Sequence, residues 1–260
     1  MNPKDDNQRL LCDAGEALFA KEPGLGEMLG FDPAAMATDG DLIAEVLARA
    51  SDDPQTRDGI RAAAKTHFRP DGALFHILRE DVIVTSLRDD DPAGPAATLF
   101  TANGLHCLLG YRLTNALHRQ GETVTALVLK THFLRAFGAD IMPQATIGRR
   151  VWVDHGLGVV IGQTAIIEDD VSLWHGVTLG TNLVDRGASR HPRLRRGCVI
   201  GAGAQIIGPV EIGEHAVVAA GATVVDDVPP GAVAVSPKSL IHEGRARSAA
   251  EMGIPIGELP

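Results

Sequence analysis

The sequence predicts an α+β chain in which an all-helical N-terminal part is followed by a parallel β-solenoid of hexapeptides. Three observations predict it. From residue 141 to 229 an aliphatic residue returns every six positions. Upstream of residue 138 the apolar residues recur at helical spacing instead. Glycine follows the aliphatic at many repeats, as in Ile147-Gly148, Ile161-Gly162, Ile200-Gly201 and Ile212-Gly213. The expected organisation is a helical domain over 1–138, a β-helix over 139–240 and a tail over 241–260.

The helical part is read segment by segment. Residues 41–48 have helical spacing, with Thr38 or Asp39 placed to cap them. Asp71 is placed to cap a helix over 72–87, with Leu74, Ile77, Leu78 and Val82 on one face. Residues 88–95 are rich in Asp, Pro and Gly and read as a loop. The strongest helices are 99–119, carrying Leu105, Leu108, Leu109 and Leu113, and 122–137, carrying Leu127, Leu134 and Phe137. Such a layer could cap the open end of a solenoid or provide an oligomer contact.

The solenoid register runs Ile141, Ile147, Val153, then Ile161, Ile167, Leu173, Leu179, then Leu194, Ile200, Ile206, Ile212, Val218 and Val224. Four positions on, the residue is mostly small or β-branched, as at Ala145, Ala165, Cys198, Ala204 and Ala222. A period of six fits neither a helix nor an ordinary hairpin series. It fits short strands joined by tight corners, each strand pointing one large and one small residue inward. Glycine suits the corners, where positive φ is cheap without a Cβ. Three hexapeptides make one triangular turn, and stacked turns bury a continuous aliphatic core. The scarcity of aromatics, 4% of residues, suits that narrow interior.

The register breaks twice. Two extra residues fall between Val153 and Ile161, where the text reads Asp154-His155-Gly156-Leu157-Gly158. Nine extra fall between Leu179 and Leu194, in a loop that contains Arg190-His191-Pro192. Interruptions of a solenoid become loops, and loops carry function more often than the scaffold does. A His beside a carboxylate is a minimal general base, because the carboxylate sets the tautomer and stabilises the imidazolium. Asp154 adjoins His155, and Asp140 lies where the solenoid begins. Arg186, Arg190, Arg193, Arg195 and Arg196 fall within eleven residues. They read either as a solvated face or, from their place on the loop, as an anion site.

A net charge of −9 argues against nucleic acid as a partner. Cys12, Cys107 and Cys198 are widely spaced and odd in number, which suits a reduced, cytoplasmic chain with Cys198 in the core. Residues 1–6 are polar, unlike a signal peptide, and no apolar run approaches membrane-spanning length.

Several stretches together resemble the serine O-acetyltransferase family of hexapeptide-repeat acyltransferases. They are Val153-Asp154-His155-Gly156, Gly158-Val159-Val160-Ile161-Gly162-Gln163-Thr164-Ala165, Val177-Thr178-Leu179-Gly180, Arg190-His191-Pro192, Gly201-Ala202-Gly203-Ala204 and Val228-Pro229-Pro230-Gly231. In the helical part Gly104-Leu105-His106 and Tyr111-Arg112 continue the match. The resemblance covers about residues 88–240. It implies a left-handed parallel β-helix, trimers with active sites between adjacent solenoids, and pairing of trimers into hexamers. It implies acetyl-CoA and L-serine as substrates, O-acetylserine for cysteine synthesis as product, and no metal.

By the same resemblance His155 is the general base and Asp140 its orienting partner. Asp154 and a loop aspartate hold the substrate ammonium. The loop aspartate is Asp91, which precedes Pro, or Asp89, which keeps the family distance to His106. Arg190 and His191 hold the substrate carboxylate. CoA lies near Gly180, Gly203, Ala204 and Ala220, with Lys238 or a nearby Arg on its phosphates.

Three departures stand out. The family's Gly-Gly-Thr-Gly after Thr-Leu is here Gly180-Thr181-Asn182-Leu183, and its Thr two residues after the His is Leu157. The chain ends Gly257-Glu258-Leu259-Pro260 where the family often ends in Ile, so docking to the next enzyme of cysteine synthesis is not expected. Two alternatives stay open. One is a related acyltransferase with another amino acid, amine or carrier-bound acceptor, or another donor. The other is a metal hydratase or non-catalytic scaffold, with His155, His175 and His191 as imagined zinc ligands. His155 and His175 are 20 residues apart and could stack on successive turns, with His175 read as a structural neighbour of the site.

Overall fold

A computed structural model describes residues 7–182, 184 and 187–237. Its helices are α1 (Leu10–Lys21), α2 (Gly24–Leu29), α3 (Asp39–Ala48), α4 (Pro54–His67), α5 (Ala73–Arg88), α6 (Pro95–Thr101), α7 (Asn103–Arg119) and α8 (Thr123–Phe137), with a 3-10 turn at Pro33–Ala35. Thr38 caps α3 through a reciprocal capping box with Asp41. Asp71 does not cap α5. Its carboxylate bonds Arg69 instead, and the helix starts after Gly72.

The helix expected over 99–119 is two helices. Ala102 is extended (φ −80, ψ 101) and separates α6 from α7. The break lets α7 start flat against the coil, where a Cβ on Gly104 would lie 1.8 Å from the Val153 carbonyl oxygen. The buried face of α8 is Ala126, Leu129, Phe133 and Phe137, rotated from the expected Leu127 and Leu134. Phe133 sets that rotation by packing on Gly110 of α7, where a Cβ would meet its ring at 2.9 Å.

Charge as well as apolar surface is buried along α5. Arg79 pairs with Asp39 at 3.1 Å, Asp81 with Arg112 at 2.9 Å and Glu80 with Arg149 at 2.8 Å. These pairs tie α5 to α3, α7 and the coil. In the two fully buried pairs, Arg79–Asp39 and Asp81–Arg112, removing one partner strands the other charge, which costs about 3–5 kcal/mol.

The coil begins where α8 ends. Gly138, at φ 79, closes the helix by donating its N–H to the Leu134 carbonyl at 2.9 Å. The first turn comprises β1 (Asp140–Ile141), β2 (Thr146–Ile147) and β3 (Trp152–Val153). The second comprises β4 (Val160–Ile161), β5 (Ile166–Ile167) and β6 (Ser172–Leu173). The third comprises β7 (Thr178–Gly180), β8 (Arg193–Leu194) and β9 (Val199–Ile200). The fourth comprises β10 (Gln205–Ile207), β11 (Glu211–Ile212) and β12 (Val217–Val218), and β13 (Thr223–Val224) and β14 (Val233–Ala234) follow.

Each turn contributes one strand to each of three parallel sheets, ordered β1-β4-β7-β10-β13, β2-β5-β8-β11 and β3-β6-β9-β12-β14. This is a triangular parallel β-helix. All thirteen aliphatic register positions are buried, at 8% exposure or less, and so are the small positions four residues on. Each large one contributes about 1.5–3 kcal/mol relative to exposure. Both insertions are absorbed at corners without shifting the ladders, since Ile141 still pairs Ile161 and Ile167 still pairs Leu194.

No earlier turn covers the first one, so its carbonyls need other donors. Helix α7 supplies them. Tyr111 donates to Ala145 O at 2.7 Å, Asn115 to Pro143 O at 2.7 Å, and Arg112 to Ile147 O at 2.8 Å and Gly148 O at 2.6 Å. The Tyr111-Arg112 text is thus an end cap. Among the described residues no helix is long and apolar enough to cross a membrane.

Candidate active site

The prism has three edges. The edge after the β3 sheet carries residues 154–159, 174–177, 201–204 and 219–222, one group per turn. His155 lies in the first group and adopts the left-handed region at φ 58, followed by Gly156 at φ 76 and Gly158 at φ 72. A non-glycine residue there is strained, by about 1–3 kcal/mol, and needs surrounding structure to hold it. Asn103 supplies part of that support, donating from Nδ2 to the His155 carbonyl at 2.8 Å and to the Phe137 carbonyl at 2.9 Å. Gly156 supplies another part, since a Cβ there would meet Cys107 Sγ at 2.7 Å. The backbone is therefore pinned while the imidazole stays 70% exposed.

Two carboxylates face the same cleft. Asp154 Oδ1 lies 3.5 Å from His155 Nε2. Asp89 accepts a hydrogen bond from Trp152 Nε1 at 2.8 Å, and Trp152 in turn packs edge-on against Trp174 at 4.9 Å. Burial and the neighbouring charges of Asp154 and Asp91 push the Asp89 carboxyl above its ordinary value, against the indole donor. Arg88 fastens this loop to the coil through Ser172 Oγ at 3.0 Å. The cleft measures about 530 Å³, and its lining includes Asp89, Asn103, Trp152, Asp154, His155 and Leu157. The Leu157 side chain is 60% exposed. Asp91 shapes the turn into α6 instead, accepting from Thr98 Oγ1 at 2.8 Å and from Ala93 N at 2.9 Å. Of the two loop aspartates, Asp89 lines the cleft.

Asp140, on β1, is ion-paired with Lys130 of α8, and the described residues pair no Asp140 oxygen with His155. Arg190 and His191 lie on the next edge of the prism, before β8. His191 is 7% exposed and fills the space over Gly162, where a Cβ would meet its ring at 2.0 Å. Its Nδ1 accepts from Thr164 N at 3.2 Å and lies 2.8 Å from Thr164 Oγ1, which leaves the proton on Nε2. Burial and Arg190 lower its pKa, so the ring is held neutral. Arg190 bonds Gln163 Oε1 at 2.9 Å. A single chain therefore does not bring Arg190 and His191 to His155.

The expected arginine patch is largely neutralised. Arg193 and Arg195 both reach Glu168, at 2.7 and 2.9 Å, Arg195 also reaches Glu211 at 2.7 Å, and Arg196 lies 3.8 Å from Asp169. On the third edge these charges form ladders between turns, which is why they do not make an open anion site. Arg186 and Lys238 lie outside the described residues.

The positions expected near CoA separate into two kinds. Gly203 (φ 67) and Ala220 lie exposed on the same edge as His155, and Gly176 and Gly203 continue its ladder by donating to Leu157 O and His175 O at 2.8 Å. Ala204 is fully buried, and its N–H is spent on Gly201 O at 3.1 Å, so its side chain belongs to the core. Gly180 ends β7, its carbonyl accepting from Gly208 N at 3.0 Å. All three cysteines are buried and unpaired, with their thiols pushed up to about 12 chiefly by desolvation. His175 lies beside His155 with its ring tilted by 55° and ring centres 5.6 Å apart, whereas His191 is on another edge. An in-chain set of three His is therefore not formed.

The sequence alone does not point to Arg88, Asn103, Trp152, the role of Thr164 or the purpose of Gly104. Only Gly104 and Thr164 fall inside the motif stretches. The others act through contacts more than 50 residues apart in sequence, for which a single chain carries no local signal.

The bacterial transferase hexapeptide (six repeats) family model matches residues 191–226. A putative serine acetyltransferase of Schizosaccharomyces pombe is 43% identical over 162 residues, covering 61% of this chain and 60% of that protein. The serine acetyltransferase of Mycobacterium tuberculosis is 43% identical over 165 residues, covering 62% of this chain and 70% of that protein. The crystal structure of a Brucella abortus serine acetyltransferase in complex with coenzyme A superposes with a TM-score of 0.81 at 30% identity, covering 90% of this chain and 94% of that chain. The chain thus spans about three fifths of the length of the S. pombe relative.

Proposed function

The chain belongs to the serine acetyltransferase family, and from that premise we propose that it transfers acetyl from acetyl-CoA to the hydroxyl of L-serine. His155 takes the hydroxyl proton, and the serine oxygen attacks the thioester carbonyl carbon. The tetrahedral adduct collapses with cleavage of the carbon–sulfur bond, and His155 returns its proton to the CoA thiolate. O-Acetylserine and CoA leave. The single observation that carries this reading is a pinned, outward-facing His155 in a cleft shared with Asp154 and Asp89.

Asp154 steadies the imidazolium that forms, and Asp154 with Asp89 receives the substrate ammonium. For Asp140 to orient His155 its pair with Lys130 has to open, so Asp154 is the nearer partner. Arg190 and the neutral His191, a donor through Nε2, receive the substrate carboxylate from the adjacent edge of a second solenoid in a homotrimer, itself free to pair into a hexamer. CoA runs along the edge that carries Gly203 and Ala220. The three reduced thiols suit a cytoplasmic enzyme of cysteine synthesis.

Purified protein with acetyl-CoA and L-serine should release free thiol at a serine-dependent rate. Thiol release that ignores serine while another acceptor drives it would overturn the assignment. Leu157 favours a second reading, a different acceptor or a longer acyl donor, because it sets an exposed apolar side chain in the cleft. A panel of acceptors and acyl-CoA chain lengths separates the two; strict preference for serine and acetyl-CoA rejects the second.

A further inference from the structure

We propose that Asp154, His155 and His175 form a site for a divalent transition-metal ion, with Zn²⁺ the best-matched, and that filling it stops acyl transfer. The inhibitory half rests on the acyl-transfer reading; the binding half does not.

One ligand atom from each of the three residues lies within 4.8 Å of the other two. Donors around zinc lie about 2.0–2.2 Å from the ion, so the three must close by roughly an ångström. Side-chain rotation supplies that, since His155 and His175 are both exposed. The backbones beneath them do not need to move. His155 is held by Asn103, and His175 by the edge ladder, in which its carbonyl accepts from Gly203 N at 2.8 Å.

The geometry follows from the register break. With an unbroken period the residue beneath His175 would be Leu157, and the ladder still runs from Gly176 N to Leu157 O at 2.8 Å. The two inserted residues push His155 outward beside that column, next to the imidazole of the following turn, with ring centres 5.6 Å apart. Asp154 comes with it as the third donor. His191 takes no part, being enclosed on another edge.

Two imidazoles and one carboxylate are a donor set for zinc and its neighbours rather than for magnesium or calcium, which take oxygen ligands. Three protein donors leave a fourth position open to water. Ligation uses the lone pair with which His155 would accept the serine proton, so a bound ion and a working base exclude each other.

The test is calorimetric titration of metal-free full-length protein with ZnCl₂, without substrates. Wild type is compared with His155→Gln and His175→Gln, and MgCl₂ serves as the control. One Zn²⁺ per chain is expected, weakened in each variant by at least about 10- to 100-fold, the cost of losing even an orienting partner. Should a variant not fold, Co²⁺ added to wild type gives a second readout, namely paramagnetically shifted proton signals from two imidazoles. In the thiol-release assay Zn²⁺ should abolish the rate and EDTA restore it, with His175→Gln needing more metal relative to its own metal-free rate. No stoichiometric binding, equal Zn²⁺ affinity in all three proteins, Mg²⁺ binding as tightly, or no shifted imidazole signals overturns the site. Zn²⁺ bound with the rate retained overturns the inhibitory half. Zn²⁺ bound by a protein that releases thiol with no acceptor overturns only the acyl-transfer reading.

Discussion

Gly104→Ala adds one methyl group at the junction of helix and coil. The new Cβ would lie 1.8 Å from the Val153 carbonyl oxygen and 2.8 Å from its carbon, about 1.5 Å short of ordinary contact. Neither neighbour is a flexible side-chain end, so α7 has to lift off β3. That movement stretches both bonds of Asn103, to the His155 carbonyl at 2.8 Å and the Phe137 carbonyl at 2.9 Å. Overpacking costs about 1–3 kcal/mol and each of the two hydrogen bonds about 1 kcal/mol, together about 3–5 kcal/mol. For a chain of this size that lowers Tm by roughly 6–20 °C. Displacing the base by about 1 Å costs on the order of 100-fold in rate. Thermal unfolding and steady-state kcat with serine measure the two effects. A variant with Tm within about 2 °C and kcat within about twofold of wild type would refute the view that α7 holds His155.

Three further outcomes follow from named contacts. His155→Ala should lower kcat by about 100- to 10,000-fold while leaving Tm nearly unchanged, since the side chain is exposed; near-full activity would remove it as the base. Asp81→Asn strands the Arg112 guanidinium between α5 and the first turn and should cost about 3–5 kcal/mol, read by urea unfolding, where a loss below about 1 kcal/mol would contradict the burial argument. His106 donates from Nε2 to the Leu99 carbonyl at 2.7 Å, and burial lowers its pKa. The folded pKa thus lies below the unfolded value of about 6.5, so its stabilisation is complete above that pH and is lost as the pH falls below it. His106→Gln should narrow the gap in Tm between about pH 7.5 and pH 5.5, and an unchanged gap would count against a neutral His106.

The coil was legible because its period is physical. A narrow triangular interior admits only one large and one small residue per strand, and Ile141 through Val224 obey that at every turn. The helical part was less legible because several of its decisive residues are polar. On helix α5 the expected Leu78 and Val82 are fully buried and Leu74 packs against the core, but the helix also buries Arg79, Glu80 and Asp81, which no apolar period reveals. The break at Ala102 answers to Gly104 meeting the coil, and the face of α8 answers to Gly110 meeting Phe133. At the site, the skip at Asp154-His155 marked the centre. Asp89 and Asp91 could not be separated by spacing, because what separates them is the indole of Trp152 and the hydroxyl of Thr98.

The prism distributes labour among its edges. One edge carries Asp154 and His155 and is faced by Asp89 of the loop after α5, a second carries Arg190 and His191, and the third is filled by ion pairs and joined to the helices through Glu80 and Arg149. A triangular coil keeps its own edges apart, because a core of close-packed aliphatics stands between them. No side-chain rotation can then bring the imidazole of His191, wedged over Gly162, to that of His155. In the proposed reaction, an acceptor whose ammonium meets Asp154 and Asp89 and whose carboxylate meets Arg190 and His191 bridges two chains. On the proposed function, the rigidity that makes the repeat readable also makes one chain insufficient, and places catalysis where one solenoid's inserted corner faces another's long loop.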